Sequence, residues 1–341
     1  MSRAAILIVF LAVTVALVQT GCESTLFIEL EEADKLIVLN GAITADSTVS
    51  VQVSRTRHIL DNAPVVPLEN ARVSLYRGST LLEELTYTGN GFYSSPTHVP
   101  AIGEPYTVRV ENAGYPTVSA TSSIPASVTI EGIDTVSVTK EFDDGYGYVY
   151  SEQMLQFDMT ILDPPGEDNF YLLFAGVDRS WSEWRDSTIT VVDSLYYNGQ
   201  WNYFPKDSTF MYTIIHREQG YPFIYSEDLV VEATTSVGVL FSDHLFDGRS
   251  YSLRGNFQTY DLTSADSAVV ELRLHTISES YYKYLKSRQA HFDTKENLLA
   301  VPVIVYSNVE EGTGFLGGYS TDTWTFTAFV PEYGYDWYDY Y

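Results

Sequence analysis

Apolar and polar residues alternate with a period of two along most of the chain. In the first third the alternation runs through Val49, Val51 and Val53, and it recurs over residues 72–76 and 106–110. This period is typical of strands with one buried face. Turn residues separate the runs: Arg77-Gly78-Ser79, Gly89-Asn90-Gly91 and Asn112-Ala113-Gly114. The spacing predicts an immunoglobulin-like β-sandwich over residues 35–125.

A longer series of strands is predicted after Pro125. Its clearest member places Leu155, Phe157, Met159 and Ile161 on one face of a strand. Other strands are predicted at residues 128–139, 171–174, 189–192, 210–215, 237–241, 250–257, 269–276, 301–305 and 324–329. Because no helical pattern alternates with them, residues 126–330 are predicted to form an antiparallel β-sandwich or a barrel-like domain.

One segment has a helical pattern. Ser278 is a suitable N-cap for a helix over residues 278–291, and Tyr281, Tyr282, Leu285 and Arg288 fall near one face of that helix. The helix is expected to pack on the second β-domain or to close it. The chain is therefore predicted to be all-β with a single substantial helix.

The N-terminal residues have the pattern of an export signal. Arg3 precedes an apolar run over residues 4–18, and Cys22, the only cysteine, follows the small or polar segment Gln19-Thr20-Gly21. A cysteine in this place is typical of a bacterial lipoprotein, in which its sulfur carries the lipid anchor. We expect a signal peptide at residues 1–21 and a tether at residues 22–34. An ordinary secretory signal and an uncleaved signal anchor are the alternatives, since Gln19 stands where such signals usually carry Leu, Val or Ile.

The net charge of the chain disfavours some classes of binding partner. The chain has 45 Asp and Glu against 19 Lys and Arg, a formal net charge of −26. Nucleic acid and anionic lipid head groups are poor partners for such a surface. Apolar residues make up 45% of the chain, which provides enough for a packed core.

Catalytic motifs are not found in the sequence. The six histidines have no metal-ligand spacing, and no nucleophile elbow, phosphate loop or zinc-protease helix is present. The run from Gly312 to Gly318 superficially resembles a dinucleotide fingerprint, but a β-turn explains it better because no helix follows. We therefore predict that the protein is not an enzyme.

Three groups of carboxylates could hold a structural calcium ion. They are Asp143 with Asp144, Asp163 with Glu167 and Asp168, and Asp243 with Asp247. Oxygen ligands in loops suit calcium, but no group has the spacing of a twelve-residue calcium loop. Solvated turn residues are the alternative for each group, and no cofactor is predicted.

Aromatic residues are unusually dense between Trp181 and Tyr225, among Asp, Asn, Ser and Gly. Trp and Tyr next to turn residues provide a large contact area at low entropic cost, as at recognition surfaces. Core packing is the alternative explanation. The candidate ligand-binding residues are Trp181, Trp184, Tyr196, Tyr197, Trp201 and Tyr203. The aromatic, acidic residues 331–341 have no core-like period and form either a disordered end or a docking segment.

Several motifs resemble a known family. The run that begins Lys35-Leu-Ile-Val-Leu-Asn-Gly is similar to the N-terminal pattern of a Bacteroidota lipoprotein family, the domain of unknown function 4249. The other similar stretches are residues 49–61, 70–76, 114–120, Phe157 with Asp163-Pro164, 169–171, 241–243, 281–285, and Pro302 with 306–319. The resemblance covers about residues 35–329.

This resemblance implies an outer-membrane lipoprotein that assists a TonB-dependent receptor in nutrient uptake, without implying any catalytic or ligand residue. Acidic residues soon after Cys22 favour the cell-surface face. We expect a lipid-anchored accessory protein that binds such a receptor and, in addition, its nutrient ligand. The alternative is a structural or adhesive protein of the cell envelope.

Overall fold

The computed structural model describes residues 34–57, 64–198, 200–259, 262, 267–295, 300–301 and 303–328. At residues 181, 186, 188–197, 201–210 and 267 only the backbone is described. The described residues from position 36 onward belong to one compact unit. Within the described parts, no helix is both long enough and apolar enough to cross a membrane.

Strands make up most of the described chain. They are β1 Ile37–Ile43, β2 Ser50–Arg55, β3 Val66–Pro67, β4 Arg72–Arg77, β5 Thr80–Glu84, β6 Thr86–Gly89, β7 Phe92–Ser94, β8 Pro105–Glu111, β9 Val118–Ser123, β10 Ile130–Asp143, β11 Val149–Leu162, β12 Phe170–Tyr197, β13 Gln200–Gly220, β14 Val231–Thr235, β15 Gly238–Ser242, β16 Ser250–Gln258, β17 Ser267–Ile277, β18 Val309–Glu310 and β19 Thr313–Ala328. The helix α1, Glu279–Lys295, lies between β17 and β18. The prediction of an all-β fold with one helix is confirmed.

The N-terminal strands form a sandwich. Strands β1, β2, β7 and β6 lie in one sheet, and β18, β9, β8, β4 and β5 form the other in that order. Alternate residues such as Leu39, Val53, Leu75 and Val108 are fully buried between the sheets. The period of two that predicted these strands therefore marks the residues that meet in the core.

The C-terminal part of the chain completes this first sandwich. Strand β19 pairs in parallel with β1, from Val38 opposite Thr313 to Ile43 opposite Gly318. Val309 and Leu316 belong to the same hydrophobic cluster as the N-terminal strands. The sheet consequently continues from one sandwich into the other. The domain limits predicted from the sequence, residues 35–125 and 126–330, stay a prediction.

The second sandwich packs the sheet β14-β15-β12-β17-β19 against the sheet β10-β11-β16. Phe157 and Phe257 stack in its core with ring centroids 5.0 Å apart, and Tyr171 stacks on Phe241 at the same distance. Helix α1 covers the opposite face of the larger sheet, where Tyr282 and Leu285 pack against Phe170. These three layers bury both faces of β12 near its start.

Helix α1 begins where the sequence predicts. The Ser278 hydroxyl accepts a hydrogen bond from Tyr281 N at 3.4 Å and another from Gly318 N at 3.0 Å. It thus acts as the N-cap and also ties the helix to β19. The helix continues to Lys295, four residues beyond the predicted end at position 291.

One predicted strand is wrong. Residues 301 and 303–305 are not in a strand, and Val301 and Ile304 are 84% and 90% exposed. The run was apolar, but Pro302 has no N–H for a ladder and no described strand pairs with the segment. By contrast, the run from Gly312 is a turn followed by β19, which agrees with the preference for a turn over a dinucleotide site.

Candidate functional site

A two-stranded arm extends from the larger sheet. Strand β12 has 28 residues, but its pairing with β17 ends at Ser180 opposite Ser267. Beyond that point β12 pairs only with β13 among the described strands, as far as Tyr197 opposite Gln200. We call residues 181–197 and 200–216 the arm. At about 3.3 Å per residue, the arm extends for roughly 50 Å.

Three large apolar side chains are exposed together on one face of the arm. Trp184, Met211 and Ile215 are 68%, 66% and 68% exposed. The register pairs Trp184 with Thr213, so Met211 and Ile215 lie on the same face as Trp184, diagonally on either side of it. We call these three residues the apolar triad. Large apolar residues that are adjacent and exposed are typical of an interaction surface.

The other face of the arm carries ionic contacts near its base. Glu183 accepts hydrogen bonds from Arg185 at 3.0 and 3.2 Å and lies 3.1 Å from His216 Nε2. The hydrogen bond from Arg185 lowers the pKa of the Glu183 carboxyl, and His216 acts in the same direction. These ionic contacts therefore lie on the face opposite the apolar triad, and Tyr212 and Ile214 share that face.

The predicted ligand-binding residues all lie on the arm. The side chain of Trp184 is exposed. The side chains of the other five are not described: Trp181, Tyr196, Tyr197, Trp201 and Tyr203. The backbone pairs Trp181 with His216 and Tyr196 with Trp201. Their role in binding stays a prediction.

An aromatic cavity of about 440 Å³ lies at the base of the arm. Strand β13 leads directly into one of its walls, the segment 221–224, and β12, β17, the β14–β15 turn and α1 provide the others. The lining residues are Leu172, Phe174, Ala175, Tyr221, Pro222, Phe223, Ile224, Ser236, Val237, Gly238, His275 and Tyr281. The volume of the cavity and its mainly apolar lining are typical of a site that binds a small molecule.

His275 occupies one wall of this cavity between two aromatic rings. Its ring meets Phe174 edge-on at 4.6 Å and stacks on Tyr319 at 4.5 Å. Burial lowers the pKa of His275 to about 4, and Arg273 adds to this effect, while Asp46 opposes it. The imidazole is therefore neutral at pH 7.

A separate acidic cluster lies beside a groove of about 1200 Å³. Oxygens of Asp163, Asp243 and Asp247 come within 4.8 Å of one another, and so do ligand atoms of Asp168, Asp243 and His244. Two of the carboxylate groups considered as calcium ligands from the sequence are thus brought together. These are the described residues that could hold a cation.

The fold itself uses the carboxylates of this cluster. Asp163 accepts hydrogen bonds from the Tyr171 hydroxyl and from Gly248 N, and Asp243 accepts one from Asn169 N at 2.8 Å. Burial raises the pKa of Asp163, although the bond from Tyr171 opposes the change. These contacts connect the loop after β11 to the loop after β15, which is a structural role.

The third carboxylate group has a structural role as well. Asp143 accepts a hydrogen bond from Gly145 N at 2.8 Å, and Asp144 accepts bonds from Tyr146 N and Tyr148 N at 2.8 and 3.1 Å. Both carboxylates therefore stabilise the β10–β11 turn, as the turn explanation predicts.

The cavity contains residues that the sequence pattern did not single out. The dense aromatic stretch did include Tyr221 and Phe223, which are 81% and 42% exposed. Phe174, His275 and Tyr281 come from other elements, and no local sequence pattern indicated that they would meet. Only the order of strands, with β17 beside β12, brings them together.

Comparison with known families gives one match. The model of the family described as Domain of unknown function (DUF4249) matches residues 23–325. No curated protein matches the chain. The match covers both sandwiches, the arm and the aromatic cavity.

Proposed function

Since this chain belongs to the DUF4249 family, whose description names no function, we propose one from the features above. The protein is a lipid-anchored, non-catalytic accessory protein of the outer membrane, and its arm docks onto a TonB-dependent receptor. The observation that carries the proposal is the apolar triad exposed on the arm. The receptor class comes from the family resemblance set out above.

The arm is built in a way that suits a protein partner. A two-stranded ribbon has no second layer to cover its apolar face, and isolated ribbons are only marginally stable in water. A partner that covers Trp184 would remove that exposed area from water. Trp is among the residues that contribute most to binding energy at protein interfaces. Glu183 and Arg185 on the opposite face would stay solvated.

The anchor follows from the N-terminal pattern. Cys22 and residues 23–33 of the tether lie outside the described residues, so the support for lipidation is the sequence around Cys22. The acidic residues that follow favour display at the cell surface. Mass spectrometry of the membrane-extracted protein is expected to find an N-terminal lipid on Cys22, and Cys22→Ser is expected to release the protein from membranes.

The decisive experiment is affinity purification from the protein's own host after mild crosslinking. The wild-type chain is expected to recover a TonB-dependent receptor in stoichiometric amount. The triple variant W184S/M211S/I215S is expected to lose it, because the apolar contact area is removed. The matched control is Ile304→Ser, since Ile304 is also exposed, at 90%, but lies outside the arm.

The outcomes separate the proposal from its alternative. Equal recovery of the receptor by the triple variant would contradict docking through the arm. Recovery of the lipoprotein alone, together with lost cell attachment and intact nutrient uptake in a deletion strain, would favour the structural or adhesive role.

A further inference from the structure

The aromatic cavity is lined by five separate parts of the chain. Leu172, Ala175 and Ile224 are almost fully buried at its base, whereas Tyr221 and Val237 are exposed at its mouth. This gradient from a closed base to an open mouth is that of a pocket with an entrance.

The wall formed by the β14–β15 turn is held by hydrogen bonds and close packing. Thr235 is buried, and its hydroxyl oxygen accepts bonds from Val237 N at 3.2 Å and Gly238 N at 3.1 Å while donating to Gly238 O at 2.9 Å. Gly238 is required there, because a Cβ would lie 2.3 Å from Leu173 O and 2.9 Å from Phe174 Cβ. The β14–β15 turn therefore stays close to Phe174 without any ligand.

The lining carries no formal charge. Among the described residues that line the cavity, none is Asp, Glu, Lys or Arg, in a chain that has 45 acidic and 19 basic residues. The guanidinium of Arg273 lies 5.9 Å from the Phe174 ring and pairs with Glu271. His275, the titratable base in the lining, is neutral at pH 7. A charged ligand would lose its hydration there without gaining an ionic partner.

Aromatic rings make up much of the cavity lining. Phe174, Tyr221, Phe223, His275 and Tyr281 supply five aromatic faces or edges around one volume. Aromatic rings bind flat apolar faces in offset-stacked or edge-to-face arrangements. The polar groups that accompany them, such as the Ser236 hydroxyl, suit one or two hydrogen bonds at the edge of such a ligand.

We propose that this cavity binds a neutral small molecule that has a flat apolar ring face. The volume of about 440 Å³ admits a ring system with substituents rather than a folded peptide segment. This ligand site is independent of docking through the arm, because the apolar triad takes no part in the lining.

Three probes that share one ring system test whether the cavity prefers a neutral ligand to a charged one. Indole is neutral, indole-3-acetate is anionic and tryptamine is cationic. Each probe is titrated into the full chain carrying Cys22→Ser, and ligand-observed NMR measures the binding. Because this variant has no lipid anchor, it needs no detergent that would compete for the cavity. Indole is expected to bind at least roughly tenfold more tightly than either charged probe. Methyl β-glucopyranoside, a neutral sugar, tests whether an aromatic ring is preferred to a pyranose.

Matched variants locate the binding. Phe223→Ser is expected to weaken indole binding roughly fivefold, because one ring of the wall is lost. Phe92→Ser is the control, since Phe92 is 43% exposed against 42% for Phe223 but lies in the first sandwich. Val237→Arg at the mouth is expected to weaken tryptamine binding and to strengthen binding of indole-3-acetate.

Several results would overturn the inference. They are equal affinity for the three probes, no saturable binding of indole, saturable binding of the glucoside alone, or equal effects of Phe223→Ser and Phe92→Ser. The triple variant of the arm is expected to bind indole as the wild type does. Receptor recovery by the triple variant together with saturable indole binding would contradict only the docking proposal, whereas loss of the receptor by that variant without saturable indole binding by the wild type would contradict only the cavity proposal.

Discussion

At the scale of single residues, the buried carboxylate of Asp163 shows how the fold provides hydrogen-bond partners for a buried polar group. Asp163 is 1% exposed, and its two oxygens are bonded by Tyr171 Oη and Gly248 N. We expect Tyr171→Phe to lower the free energy of unfolding by about 1–3 kcal/mol, because a buried oxygen loses its donor. Urea unfolding measures the change. Tyr146→Phe is the control, since Tyr146 is 97% exposed, and an equal loss in the control would contradict the explanation.

A second residue-scale prediction concerns His275 and pH. The folded chain keeps His275 neutral down to pH about 4, whereas the unfolded chain takes up a proton near the ordinary value of about 6.5. The contribution of neutral His275 to the free energy of unfolding should therefore be fully present above pH 6.5. It should be lost as the pH drops towards 4, by up to about 3 kcal/mol.

The matched variant His275→Phe keeps a ring beside Phe174 and Tyr319 but cannot titrate. Carboxylates titrate in both proteins, so the difference between the two stability profiles isolates His275. Unfolding by urea at intervals between pH 7 and 4 gives the profiles. Parallel profiles would show that the burial of His275 does not disfavour its charged form.

At the scale of elements, the sequence was most informative where local chemistry and periodicity agree. Ser278 combined a capping side chain with a helical pattern, and the structure begins the helix there. The apolar run at 301–305 had no such support, and its residues pair with no described strand. Periodicity alone cannot tell a paired strand from an exposed apolar segment.

The arm could not be predicted from the same pattern. The sequence suggested two short strands at residues 171–174 and 189–192, whereas the structure has one continuous strand of 28 residues. A strand of a two-layer sandwich ends where its neighbours end, but β12 continues because β13 pairs with it from Val177 to Tyr197. The aromatic stretch indicated recognition, but nothing local indicated a ribbon.

An excision tests whether the arm is separate from the core. Replacing residues 183–214 by Asn-Gly would leave Ser182 and Ile215 paired around a tight turn. We expect the free energy of unfolding to change by less than about 1 kcal/mol, because the removed residues pair only with each other among the described strands. Thermal and urea unfolding followed by circular dichroism measure the change. A collapse of cooperative unfolding would show that the arm contributes to the core.

At the scale of the whole molecule, the pairing of β1 with β19 makes the first sandwich depend on the far end of the chain. Asn308 reinforces this link, since its side chain donates to Thr121 O of β9 at 3.3 Å and bonds both Leu316 O and Leu316 N of β19 at 2.9 Å. Gly317 is also required there, because a Cβ would lie 2.7 Å from Tyr281 Cβ. Motifs near residues 306–319 are therefore explained by packing between the two sandwiches and α1.

This dependence predicts that residues 34–125 do not fold alone. The fragment would lose the strand beside β1 and the burial of Val309 and Leu316, at about 1.5–3 kcal/mol for each side chain. A domain of this size has a net stability of only about 5–15 kcal/mol. We expect its far-UV circular dichroism and its proton NMR dispersion to be those of an unfolded chain.

The matched protein restores what the fragment lacks. Residues 305–320, joined to the fragment through a Gly/Ser linker, supply β18 for β9 and the first part of β19 for β1. Dispersed resonances and cooperative unfolding are expected in this fusion but not in the fragment alone. If the fragment alone unfolds cooperatively, the first sandwich is an independent domain and the β1–β19 pairing is only an attachment between two completed cores.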